Sequence, residues 1–116
     1  MKINLNHQFK NLAGKDFDRY VKDKNGKPTK EVIDMNEMGK CLAICMFHSN
    51  EKNLKFKIWS EQLYRSGILE IDDVDFELLI AWIEIYGTND KIQFNTWLSQ
   101  VGIKGQVIEM MKKQKK

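Results

Sequence analysis

The sequence predicts an α+β domain, mainly α, in which a short N-terminal β-hairpin packs on three to four helices. Three observations predict it. Apolar residues alternate with polar ones only near the start, at Ile3, Leu5 and Phe9. Glycine-bearing turns crowd the first thirty residues, at Asn11–Lys15 and at Asp23–Pro28. Beyond Val32 the apolar residues recur at helical spacing up to Met111.

With 116 residues, 42% of them hydrophobic and 10% aromatic, there is room for one domain with a real core. A single globular domain over residues 1–111 is expected, followed by a basic, disordered tail over 112–116, Lys-Lys-Gln-Lys-Lys. No apolar run approaches the roughly 20 residues that cross a bilayer, and MKINLNHQF lacks the apolar segment of a secretory signal. A soluble cytoplasmic chain with no membrane partner is the expectation. Cys41 and Cys45 are four apart in a predicted helix, a spacing that disfavours a disulfide and fits free thiols. Charge is unevenly spread. Residues 1–66 carry 13 Lys/Arg against 8 Asp/Glu, residues 67–90 none against 7, and residues 91–116 carry 6 against 1, giving +5, −7 and +5.

In order, Lys2 to Asn11 reads as a short strand, and a hairpin is expected to turn at Gly14 or at Gly26, where Asn25-Gly26 suits positive φ. The run MGKCLAICMF, Met38 to Phe47, holds Lys40 as its sole charge and predicts a deeply buried helix, capped by Asp34 or Asn36, with Gly39 admitting a close neighbour. Asn53 to Gly67 predicts an amphipathic helix with Leu54 and Ile58 on one line and Phe56, Trp59 and Leu63 on the next. Arg65-Ser66-Gly67 marks its end. Ile68 to Ile71 reads as an extended connector. Ile71 to Gly87 predicts the helix around which the chain is organised, started by Asp72 or Asp73 and stopped by Gly87. On it Val74, Leu78, Trp82 and Ile85 form one apolar line, and Phe76, Leu79, Ile83 and Tyr86 fill the adjoining sector. Such a helix is expected inside the domain. Thr88 to Asp90 begins a further segment through Phe94, Trp97, Leu98 and Val101. Gly102 interrupts it, and a last amphipathic stretch follows from Ile103 to Met111.

For chemistry, Cys41, Cys45 and His48 fall at i, i+4 and i+7 of one helix face, and His7 is the other histidine. Sulfur with imidazole is what zinc prefers, but three ligands from one apolar helix is not how structural zinc is held, and buried cysteine behaves as a small hydrophobe. No metal site and no cofactor are therefore expected. A Cys–His nucleophile would sit in mid-helix without an activating group. The carboxylates Glu70 to Glu77 cap a helix more economically than they bind calcium. No phosphate loop, serine elbow or metalloprotease motif is present, so no catalytic residue is assigned and the chain is read as a non-enzyme. The lysines Lys22, Lys24, Lys27 and Lys30, with Lys112, Lys113, Lys115 and Lys116, supply an alternative reading as a nucleic-acid binder through phosphate contacts.

The MKINLN strand with its glycine turn, Met38-Gly39-Lys40-x-Leu42-Ala43, Lys57-Ile58-Trp59 through Tyr64, Gly67-Ile-Leu-Glu-Ile-Asp-Asp-x-Asp and Lys104-Gly105-Gln106-Val107-Ile108-Glu109 together resemble small accessory proteins of tailed phages and prophages. Residues 86 to 100 are longer and more aromatic than that pattern. The resemblance implies a mobile-element setting and assigns no site. The favoured function is a non-enzymatic interaction, assembly or regulatory protein whose partner is another protein or a second copy. Phe94, Trp97, Leu98, Met110 and Met111 are its expected binding surface, because a short terminal segment need not bury so many large apolar groups alone.

Overall fold

The first strand pairs with a segment far downstream instead of with its neighbour in sequence. A computed structural model describes residues 1–17, 20–32, 34–49, 51–86 and 97–115. The elements run β1 (Lys2–Asn4), β2 (Tyr20–Lys22), β3 (Pro28–Val32), α1 (Met38–Phe47), α2 (Lys55–Ser66), β4 (Ile68–Glu70), α3 (Asp73–Ile85) and α4 (Val101–Gln114). The domain is a small, mainly α member of the α+β class, with an antiparallel N-terminal hairpin. That hairpin is β2 with β3, whereas β1 lies antiparallel to β4 with Ile3 opposite Leu69. The stretch expected as a mere connector is thus a strand, and both central residues of the pair are fully buried.

Two turns of one design interrupt the N-terminal region. At the first, the Asn11 side-chain oxygen accepts from the Ala13 and Lys15 N–H groups, while Gly14 N–H donates to Asn11 O. At the second, Asp23 accepts from Asn25 and Lys27, and Gly26 N–H donates to Asp23 O. Both glycines have φ near +80°, at 78° and 79°, which explains glycine at each position. The first turn closes a bridge between Lys10 and Asp16, whose side chains also pair; the second joins β2 to β3.

Between these turns and the helices, the segment Leu5 to Phe9 crosses the start of α1. The Met38 N–H donates to His7 O at 2.9 Å and the Gly39 N–H to Leu5 O at 3.0 Å. These backbone acceptors satisfy the donors that a helix leaves free in its first turn. Asp34 and Asn36, expected as caps, instead form a single 3-10 turn, and Glu37 stands at the cap position without a side-chain bond. Gly39 is needed for the approach. A Cβ there would lie 3.2 Å from Leu5 O and 3.3 Å from Gly67 Cα. Gly67 ends α2 at φ 70°, as Arg65-Ser66-Gly67 predicts, and its carbonyl accepts from Leu5 N–H at 2.7 Å.

The core is one cluster drawn from every layer, including Ile3, Leu5, Phe9, Leu42, Leu63, Leu79, Ile83, Leu98 and Met111. α1 lies within it, covered by Leu5–Phe9 and most extensively by α2. α3 does not. Its buried residues are Phe76, Leu79, Ile80 and Ile83, while Val74 (77%), Leu78 (42%) and Ile85 (56%) are exposed. The expected interior rod is corrected to a helix buried along one face, because the sector adjoining the predicted line is the one that meets the core. The same correction holds in α2: Phe56, Trp59 and Leu63 are buried, and Leu54 and Ile58 are exposed. Asp72 caps α3 through a 2.8 Å bond from Asp75 N–H, as the sequence predicts. The expected stop at Gly87 lies outside the described residues. At that end the Lys104 ammonium donates to the Tyr86 and Glu84 carbonyls, at 2.7 and 3.1 Å, placing a cation at the negative end of the helix dipole.

α4 corrects two further expectations. Gly102 is its second residue and no interruption, and the helix runs through Lys112 and Lys113 to Gln114, inside the stretch expected as a disordered tail. Two glutamines explain why it persists. The Gln114 amide accepts from Asn4 N–H (2.7 Å) and donates to Asn4 O (2.8 Å), and the Gln106 amide does the same to Lys10 (2.8 and 2.9 Å). Each side-chain amide serves one backbone residue as a neighbouring strand would. Lys115 then pairs with Glu77 at 2.7 Å and lies over the Phe76 ring.

Candidate functional site

Cys41 and Cys45 face inward from α1 and are fully buried. A hydrogen bond from Cys41 holds the Cys45 thiol below its ordinary pKa; burial pushes it upward, and a Tyr86 hydrogen bond lowers it again. His48 stands at the exposed C-terminal end of the same helix, and His7 is on the segment crossing its opposite end. The two thiols meet each other, but neither histidine joins them. Among the described residues no three His, Cys, Asp or Glu side chains gather as metal ligands.

The expected protein-binding surface largely dissolves into the core. Leu98 and Met111 are fully buried, which removes them as surface anchors. Trp97 is half-buried, with its ring edge-on to Phe9 (6.1 Å) and Phe17 (5.1 Å). Met110 is half-buried and, with His7, Lys10 and Lys113, lines a polar hollow of about 410 Å³ between the N-terminal segment and α4. Phe94 lies outside the described residues. Leu98 and Met111 are buried because α4 docks on the N-terminal segment, Gln114 on Asn4 of β1 and Gln106 on Lys10, a pairing across the whole chain that helical periodicity does not encode.

The lysines divide. Lys22, Lys24 and Lys27 are exposed around the β2–β3 turn, and Lys112 and Lys113 are exposed on α4. Lys115 is engaged by Glu77, whose hydrogen bond raises the lysine pKa and lowers that of the carboxyl. The side chains of Lys30 and Lys116 lie outside the described residues.

An apolar groove that the sequence did not single out lies between α1 and α2. Ala43, Ile44, Phe47 and His48 form one wall; Ser60, Glu61, Tyr64 and Arg65 form the other, around about 310 Å³. That volume is at the small end of the roughly 300–1,000 Å³ usual for ligand pockets. Phe47 (60%) and Tyr64 (50%) stand at its mouth, more exposed than large aromatic groups need be. The Tyr64 hydroxyl donates to Asp34 at 2.9 Å, and the accepting carboxylate holds its pKa above the ordinary value. Glu61 pairs with Lys57, and Lys40 with Asp34. Arg65 makes no ion pair among the described residues. The available signal was Ile44 and Phe47 beside Lys40 on the one polar edge of α1, with Tyr64 among charges on α2. No family model, curated protein or solved structure matches this chain.

Proposed function

We propose that the chain is a non-enzymatic protein-binding module of the assembly or regulatory kind, in a phage or mobile-element setting, and that its α1–α2 groove is the docking surface. One observation carries this reading: Phe47 of α1 and Tyr64 of α2 remain exposed at the mouth of an apolar groove between the two helices. Solvent-facing aromatics around a concave apolar surface, with Arg65 at the rim making no ion pair among the described residues, fit the anatomy of a recognition site. The mobile-element setting rests on the sequence resemblance alone. A photo-crosslinking phenylalanine analogue at Phe47, compared in the native host with one at the exposed Leu12, tests the reading. Capture of a protein from position 47 and not from position 12 supports it; equal capture from both overturns it.

A second reading is favoured by the β2–β3 hairpin. Its strands pair with each other, and Lys22, Lys24 and Lys27 are exposed and form no ion pair among the described residues. Such an arm would contact nucleic-acid phosphates without reading bases. Replacing all three lysines by glutamine is expected to reduce the log–log salt slope of duplex binding by about 3, one per lost phosphate contact. An unchanged slope ends that reading.

A further inference from the structure

The described surface carries a second apolar feature, flanked by carboxylates, whereas the groove is lined by Arg65 and by Glu61, which is already paired with Lys57. Val74, Leu78, Ala81 and Ile85 recur at i, i+4, i+7 and i+11 on α3, forming a ridge opposite the face that carries Phe76, Leu79 and Ile83 into the core. Asp73, Glu77 and Glu84 run along one flank of this ridge, and α3 has no Lys or Arg. The two helices that form the groove carry Lys40, Lys55, Lys57 and Arg65 against Glu61, and of these Lys40 pairs with Asp34 and Lys55 with Asp75. Arg65 at the groove and Glu84 on the ridge both have side-chain charges without an ion-pair partner among the described residues.

Resting on the reading of the chain as a protein-binding module, we infer that the occupant of the α1–α2 groove is the α3 ridge of a second copy. Shape and charge select this pairing. Ridge against ridge would oppose Asp73 and Glu84 to their own counterparts, with Glu77 already paired to Lys115, a like-charge contact that complementary interfaces avoid. Groove against groove would leave two hollows unfilled and set Arg65 near its own counterpart. Ridge into groove places aliphatic side chains against Ile44, Phe47 and Tyr64, in the manner of an amphipathic helix laid in an apolar cleft. The contact is heterologous, since each copy offers one ridge and one groove. It therefore repeats head to tail, closing into a ring or extending as a filament.

The test uses the full chain in light scattering across a concentration series, with Leu78→Asp to disable the ridge and Phe47→Asp to disable the groove. Wild type is expected to grow beyond a dimer as concentration rises. Each variant alone stays at monomer mass, and an equimolar mixture forms a heterodimer and nothing larger, because one intact groove then meets one intact ridge. Both positions are exposed, and circular dichroism melts confirm folding; if either variant fails to fold, Ile85→Asp and Tyr64→Asp replace the pair. Wild type that remains monomeric up to about 1 mM, too weak for specific self-association, overturns the inference. So do variants that assemble like wild type, or a mixture that stays monomeric. A monomeric wild type that still gives the Phe47-specific crosslink to another protein removes the second copy as occupant and leaves the protein-binding reading standing. Loss of both removes both.

Discussion

α1 and α3 are equally apolar in composition, yet one is enclosed and the other keeps a row of aliphatic side chains on the surface. The difference lies in what the rest of the chain brings to them. α1 is crossed at its start by Leu5–Phe9 and flanked by α2, so backbone and side chains cover it from separate directions. α3 meets the core through Phe76, Leu79, Ile80 and Ile83 and is held at its ends by Asp72 and Lys104. Hydrophobicity says that a helix wants cover. It does not say which helix receives it.

The largest expected break in this comparison comes from truncating buried leucines. Leu42→Ala in α1 and Leu79→Ala in α3, both fully buried, should each cost about 2–5 kcal/mol in urea unfolding. Leu78→Ala, one position away on the ridge, should cost less than about 1 kcal/mol. Equal losses at Leu78 and Leu79 would mean that α3 is enclosed after all. Next in size is the close approach at Gly39. Gly39→Leu should destabilise by about 1–3 kcal/mol, because Leu5 O and Gly67 Cα are backbone atoms with little room to yield. The matching Ala81→Leu on α3 points to solvent and should change the melt by no more than about 0.5 kcal/mol.

These contrasts show what the sequence made legible. The Asp72 cap, the Gly67 stop and the Gly26 turn each rest on one local residue pattern, and all three stand in the fold. The burial expected of α1 stands, whereas α3 was expected inside and is covered on one face only; the cover that α1 gains comes from Leu5–Phe9, held there by the pairing of β1 with Ile68–Glu70, and no short window contains both partners. The groove was missed for a related reason. It is the property of two helices, whereas Phe47 or Tyr64 alone reads as an ordinary apolar residue. The surface expected at Leu98 and Met111 failed because Gln106 and Gln114 fasten α4 over the N-terminal segment, a pairing no local pattern announces.

Capping sharpens the comparison at a smaller scale. Asp72→Ala should cost about 0.5–2 kcal/mol, since it leaves a first-turn N–H of α3 without its acceptor. Glu37→Ala, at the equivalent position of α1, should be neutral within about 0.5 kcal/mol, because Leu5 O and His7 O already accept there. The smallest effect is in pH. The Lys115 hydrogen bond lowers the Glu77 pKa, so the pair's contribution is present above the ordinary carboxylate range and is lost as pH falls through the folded value. The raised Lys115 pKa means that the same contribution is present below the ordinary lysine value and fades as pH rises through the folded one. Both groups reach solvent, and the expected readout is a titration, not a melt. In Lys115→Gln the Glu77 carboxyl resonance should titrate at higher pH than in wild type; an unchanged midpoint would show that α4 does not hold α3 through this contact.

The glutamine clamps carry one more consequence. With Gln114 occupying both polar groups of Asn4, the far side of β1 has no vacant peptide rung there for an incoming chain, so growth by sheet extension is blocked at that point. Deamidation of Gln114 would open it chemically: a carboxylate still takes the Asn4 proton but confronts the Asn4 carbonyl with a lone pair. Hydrolysis of that single side chain would thus loosen the hold of α4 on β1.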